Sequence, residues 1–233
     1  MTDLALSSLL PGCEAIWQET LALQDFDPAV LRHEQARNLR PAYGLTLVAD
    51  YPLSQDVLAG INRLRQVCRE TLGDKVQLYP DAHLHLTVYS LMRSRIEPLP
   101  KEKLAVLWPD WLHRLREVGA AAASLSVPLR GLSITRKGAV MVCGARSESL
   151  SLLREQVARL PGVAASRDVP LHITIGQVRG TCGSAEAFDE AMSALRRHAA
   201  ASVGVLRSTR LYLLYYRSRL LDQVIRSAVI SLG

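Results

Sequence analysis

Two tetrapeptides hold most of the chemistry this chain can offer: His85-Leu86-Thr87-Val88 and His172-Ile173-Thr174-Ile175. In each, a histidine is followed two residues later by a threonine inside an apolar alternation, the spacing that puts both polar side chains on one face of a strand. Imidazole titrates near pH 6.5, so one of two neighbouring histidines can be neutral while the other is protonated, a general base beside a general acid. On a phosphodiester, the base takes a proton from water or a ribose hydroxyl and the acid protonates the leaving oxygen, each transfer contributing about 10²–10⁴-fold. The threonine hydroxyls can donate to the non-bridging oxygens, whose charge builds toward the transition state.

One His-x-Thr on a strand is ordinary packing. Two copies, each followed by a β-branched residue and each on its own strand, are a stronger signal. Strand parity puts His83, His85, Thr87 and Tyr89 on one face of a strand from His83 to Leu91, with Leu84, Leu86 and Val88 on the other. In the second copy His172 and Thr174 share a face, and Leu171, Ile173 and Ile175 point into a core.

Secondary candidates follow from these placements. Tyr89 is positioned either to line the cleft and stack on a base or to pack across strands. Arg179, just past the second strand, is a candidate cation for a phosphate, although a plain exposed loop arginine is the simpler reading. Tyr212, Tyr215, Tyr216 and Arg217 read as packing, with room for one nucleobase contact. Asp81, His83 and His85 admit a metal-site reading joined by His172, but it leaves both threonines unexplained and the second motif has no matching carboxylate. No metal or cofactor is therefore expected. His113 and His198 read as solvated or capping residues on helices. Cys143 and Cys182 lack the partner pattern of a nucleophile, and no glycine-rich phosphate loop precedes any helix.

Composition bounds the rest. The chain has 233 residues, 48% of them hydrophobic, enough for a substantial core. Its 28 Lys and Arg against 22 Asp and Glu give a net charge of +6, a weak preference for anionic partners. Four scattered cysteines (Cys13, Cys68, Cys143, Cys182) with no Cys-x-x-Cys spacing, and no secretory pattern at the N-terminus, predict reduced thiols in a cytoplasmic protein. No apolar run approaches the roughly 20 residues that span a bilayer, so no membrane role is expected.

The elements that must position the motifs are legible from periodicity. Residues 1–40 read as a helical extension, with Leu9, Cys13, Ile16 and Trp17 at helical spacing and a second segment from Val30 to Leu39. Strands are expected over Tyr43–Val48, Val76–Tyr79, Ser124–Leu132, Ala139–Cys143, Leu171–Val178, Gly204–Tyr216 and Gln223–Leu232. Helices are expected from Ser54 to Leu72, Lys101 to Val118, Ser147 to Leu160 and Ala185 to Ala200. Each motif strand then falls in its own α/β half, which suggests two similar lobes.

On the paired motifs and the element order from about Tyr43 to Leu232, the chain resembles the two-histidine phosphoesterase superfamily, which includes 2′-5′ RNA ligase-like proteins and RNA 2′,3′-cyclic phosphodiesterases. The resemblance implies an α/β (α+β) bilobal fold for residues 41–233, with two mixed, mostly antiparallel sheets flanking a central cleft, helices outside, and an extra N-terminal helical segment. It implies a metal-independent phosphodiesterase acting on a cyclic phosphate or 2′-5′ linkage of an RNA end or small cyclic nucleotide. By motif position His85 and His172 become the acid–base pair, and Thr87 and Thr174 the phosphate ligands. The alternatives are a non-catalytic nucleotide- or RNA-binding module and 2′-5′ ligase activity through the same groups.

Overall fold

A computed structural model of the protein describes residues 10–165 and 170–233. Leu9, read into the first helix from its spacing, lies outside the described residues. Two helices come first, α1 (Pro11–Leu21) and α2 (Pro28–Leu39), each with proline in the first turn, where the missing N–H costs nothing. Asp27 caps α2 by accepting from the Ala29 and Val30 amides. Strand β1 (Tyr43–Ala49) leads to α3 (Gln55–Leu72), which ends at Gly73 with φ +59°, a conformation glycine adopts without a Cβ clash. Then come β2 (Val76–Leu78), a 3₁₀ turn (Asp81–His83), β3 (Leu86–Arg95) and α4 (Lys101–Ala121). The hairpin of β4 (Leu125–Ile134) and β5 (Ala139–Gly144) is followed by α5 (Glu148–Ala158), β6 (His172–Val178) and α6 (Ala185–Arg196). Three strands finish the chain: β7 (Ser202–Ser208), β8 (Arg210–Tyr216) and β9 (Val224–Ser231).

The strands form two antiparallel sheets, in the orders β3-β1-β8-β9 and β2-β6-β5-β4-β7. Each sheet contains one motif strand, and β3 touches β6 across the gap between them. The expected assignment of each sheet to one half of the chain needs correction. β2 crosses into the second sheet, while β8 and β9 return to the first. The stretch Gly204–Tyr216, expected as one strand, is two: the chain leaves one sheet at Ser208 and enters the other at Arg210. Both pieces are apolar alternations, so periodicity alone does not show the change of sheet.

The first sheet separates two apolar environments by strand parity. Leu45, Leu47, Ala49, Leu213 and Tyr215 enter the main core, whereas Val48 and Leu214 join Leu221 and the rings of Tyr51, Tyr212 and Tyr216 in a smaller cluster. On the second sheet α3 packs so closely against β7 that a Cβ on Gly60 would collide with the Val203 carbonyl.

The N-terminal helices are built into this core. Trp17 is fully buried and its indole N–H donates to the Leu132 carbonyl at 2.9 Å; the Thr20 hydroxyl donates to Ile134 at 2.6 Å. Phe26 meets Phe188 edge to face with centroids 5.2 Å apart. Cys13 of α1 forms a disulfide with Cys143 of β5, across a Cα separation of 6.8 Å. This corrects the expectation of four reduced thiols. The pairing joins residues 130 positions apart, a proximity that sequence spacing does not reveal. Cys68 and Cys182 remain free. No helix among the described residues is long and apolar enough to cross a membrane.

Candidate active site

The two histidines are held in the same way. His85 Nδ1 lies 2.9 Å from the carbonyl of His83, and His172 Nδ1 lies 2.7 Å from the carbonyl of Pro170. In both cases the partner is the main-chain oxygen two residues earlier. A carbonyl only accepts, so each Nδ1 must carry the proton. Each Nε2 is thus the nitrogen left for a substrate, a base when bare and an acid when protonated.

Burial lowers the pKa of both rings. His85 falls to about 4, chiefly by desolvation, partly opposed by its bond to His83 and reinforced by the charges His172 and His83 would carry. His172 is lowered by burial too, with the Pro170 carbonyl working the other way. The influence of His172 on His85 brings the two motifs into one electrostatic neighbourhood. Around neutral pH both rings are uncharged.

The surroundings of the first motif differ from the expected strand. His83 belongs to the 3₁₀ turn and His85 precedes β3, which begins at Leu86. Thr87 pairs with Val48 and Tyr89 with Leu47, so the intervening Val88 is a bulge and parity inverts there. Thr87 therefore shares the face of Val48, and Tyr89 goes with Leu47 toward the main core. Tyr89 is 2% exposed and its hydroxyl donates to the Ala164 carbonyl at 3.0 Å. It forms part of the cavity wall but has no free ring face for a base, and packing is the role its geometry describes.

In the second motif the parity holds, with His172 and Thr174 opposite Cys143 and Met141 in unbroken register. Arg179 lies past the far end of β6, at about 3.3 Å per residue some 23 Å along the strand from His172. Its guanidinium donates to Gln77 Oε1, and it is not placed to reach a phosphate at the histidines. The carboxylate of Asp81 is bound by Arg65, and no group of three or more His, Cys, Asp or Glu suited to a metal occurs among the described residues.

A cavity of about 520 Å³ opens between the motifs. His172 and Thr87 line it, while His85 and Thr174 are not among its walls. Hydroxyls from Ser90, Ser94 and Tyr216 and the guanidinium-bearing residues Arg37, Arg154 and Arg219 line it as well. No carboxylate does so among the described residues, leaving a concave surface suited to an anion. Sequence reading missed Arg37, Arg154 and Arg219, which come from α2, α5 and the β8–β9 connection. Of the four residues Tyr212, Tyr215, Tyr216 and Arg217, only Tyr216 lines the cavity; its ring lies over Gly44, where any side chain would collide with it. The one advance signal was the tyrosine-rich run ending at Tyr216.

No protein-family model matches the sequence, and no curated protein matches it. Among solved structures, TT0787 of Thermus thermophilus is similar at TM-score 0.52 and 15% identity, over 82% of this chain and 99% of that one. The conserved protein ATU0111 from Agrobacterium tumefaciens is similar at TM-score 0.50 and 17% identity, over 82% of this chain and 86% of that one. Escherichia coli LigT, in complex with NADP+, gives a TM-score of 0.46 at 16% identity, over 82% of this chain and 96% of that one. The likeness is one of architecture: the chain has the two-sheet α/β fold that its paired motifs lead one to expect of a two-histidine phosphoesterase.

Proposed function

We propose that the protein is a phosphodiesterase that acts on a cyclic phosphate or a 2′-5′ linkage of an RNA end or small nucleotide, without a metal. The observation that carries this reading is the matched commitment of both Nδ1 atoms to the carbonyl two residues back, which reserves two Nε2 atoms for proton transfer. One histidine removes a proton from the attacking water or hydroxyl while the other protonates the leaving oxygen. Hydroxyls of Thr87 and Thr174 donate to the non-bridging oxygens. A bound phosphodiester anion raises the affinity of the nearby imidazoles for a proton, so the acid is charged by the substrate it serves.

The test is turnover of a nucleoside 2′,3′-cyclic phosphate by wild type, His85→Ala and His172→Ala, with and without EDTA. The expected result is a loss of at least about 10²-fold in kcat for either variant, with no effect of chelator on wild type. Full turnover by the double variant would sink the proposal. So would calorimetric binding of cyclic nucleotides by wild type with no product formed, the behaviour of a non-catalytic binding module.

A further inference from the structure

Proton transfer and phosphate activation leave Arg37 and Arg219 without a task, although both line the cavity that contains His172 and Thr87. Arg219 is partly buried, and its Nε is sealed from solvent with no hydrogen-bond partner. Burial and the neighbouring Arg37 charge both weaken the hold of Arg219 on its proton, which records two like charges side by side.

Among the described residues one carboxylate, Glu34, is near enough to moderate this field. Glu34 bonds Arg37 at 2.9 Å but also pairs with Lys137 at 3.6 Å, so it is shared between two cations and leaves an excess of positive charge. The Tyr216 hydroxyl, within electrostatic reach of Arg219, adds a donor of the kind that binds phosphoryl oxygens. Arg37 is supplied by α2, so the N-terminal segment furnishes part of the cavity wall.

We propose that Arg37 and Arg219 form a second anion site in this cavity, which receives a phosphate of the substrate other than the one attacked. The inference rests on the phosphodiesterase reading above. Planar guanidinium forks bind phosphate through paired, charge-assisted bonds, and seating an anion between them relieves their mutual repulsion. The favoured substrate class is then a nucleotide or oligonucleotide with a cyclic phosphate and at least one further phosphate, over a nucleoside cyclic monophosphate.

The experiment compares kcat/KM for cytidine 2′,3′-cyclic phosphate and its 5′-phosphorylated counterpart in wild type, Arg37→Ala, Arg219→Ala and Arg219→Lys, with thermal unfolding as the check on folding. Wild type should favour the phosphorylated substrate by about tenfold or more. Either alanine variant should erase most of that preference, and the lysine variant should retain part of it. No preference in wild type, or equal losses on both substrates in the variants, overturns the second site; equal losses would place these arginines on the attacked phosphate instead. If wild type turns over neither compound, the phosphodiesterase reading falls. The second site is then judged by calorimetry with cytidine 3′,5′-bisphosphate against cytidine 3′-phosphate: a preference abolished by Arg219→Ala sustains it, and equal affinities overturn it.

Discussion

The two His-x-Thr motifs reach the same local state by different physical means. His85 follows a 3₁₀ turn and leads into β3, the edge strand of its sheet, paired on one side only with β1. The turn before it is tied by an ion pair: the buried guanidinium of Arg65 on α3 bonds Asp81 and the Tyr79 carbonyl, with Asn62 Oδ1 at 2.8 Å. His172 opens β6 and is paired there with β5, while β2 joins only the far end of the strand, at Gly176–Val178. Its register partner, Cys143, is joined to α1 by the disulfide. A buried leucine precedes each histidine, Leu84 and Leu171, and anchors the chain on either side of the cleft. The main-chain bond that fixes the tautomer is therefore a local property, while the rigidity behind it comes from polar contacts in one motif and from covalent and ladder bonds in the other.

This contrast can be broken most sharply at Arg65. Arg65→Met should lower kcat/KM by up to about 10²-fold, because small displacements of a reacting group are expensive. Circular dichroism should show the fold retained. An unchanged rate would mean that β3 alone holds His85, making the two motifs mechanically alike.

The acid side of the titration tests what they share. Since both histidines are pushed below their usual pKa, the singly protonated pair populates on the acid side of pH 6.5. The pH profile of kcat/KM should peak there and fall by up to about tenfold per unit toward alkaline pH. The profile of kcat should lie at higher pH, because the bound anion raises both values. Stability moves in the opposite sense. With folded pKa values depressed, the unfolded chain binds more protons over this range, so stability is greatest above pH 6.5 and is lost as pH falls toward 4. A kcat/KM optimum at or above pH 7 would mean that burial of the two histidines does not govern catalysis.

The smallest effect on rate belongs to the disulfide. Cys13→Ser should cost about 2–4 kcal/mol of stability, measured by denaturant unfolding, because the bond closes a long loop. The rate should change by less than about threefold, since His172 and Thr174 keep their ladder to β5. A rate loss as large as that of Arg65→Met would show that α1, rather than the sheet, holds the second motif.

Sequence alone determined the two motifs, the helix and strand types around them, and most element ends, because hydrophobic periodicity, caps and glycine stops act within a few residues. Gly73 after α3 was legible for that reason, and Ser54 marks the N-cap position although its side chain makes no capping bond. Tertiary structure decided what depends on partners distant in the chain. The bulge at Val88 needs β1 opposite it to define register, and it moved Tyr89 from the cleft to the core. The change of sheet between Ser208 and Arg210, the Cys13–Cys143 bond, and the gathering of Arg37 and Arg219 beside His172 are all long-range encounters. Local sequence encodes what a residue does to its own backbone and neighbours a turn away. Which distant side chains complete a site is set by how whole elements pack, and that information lies in the summed burial of the core.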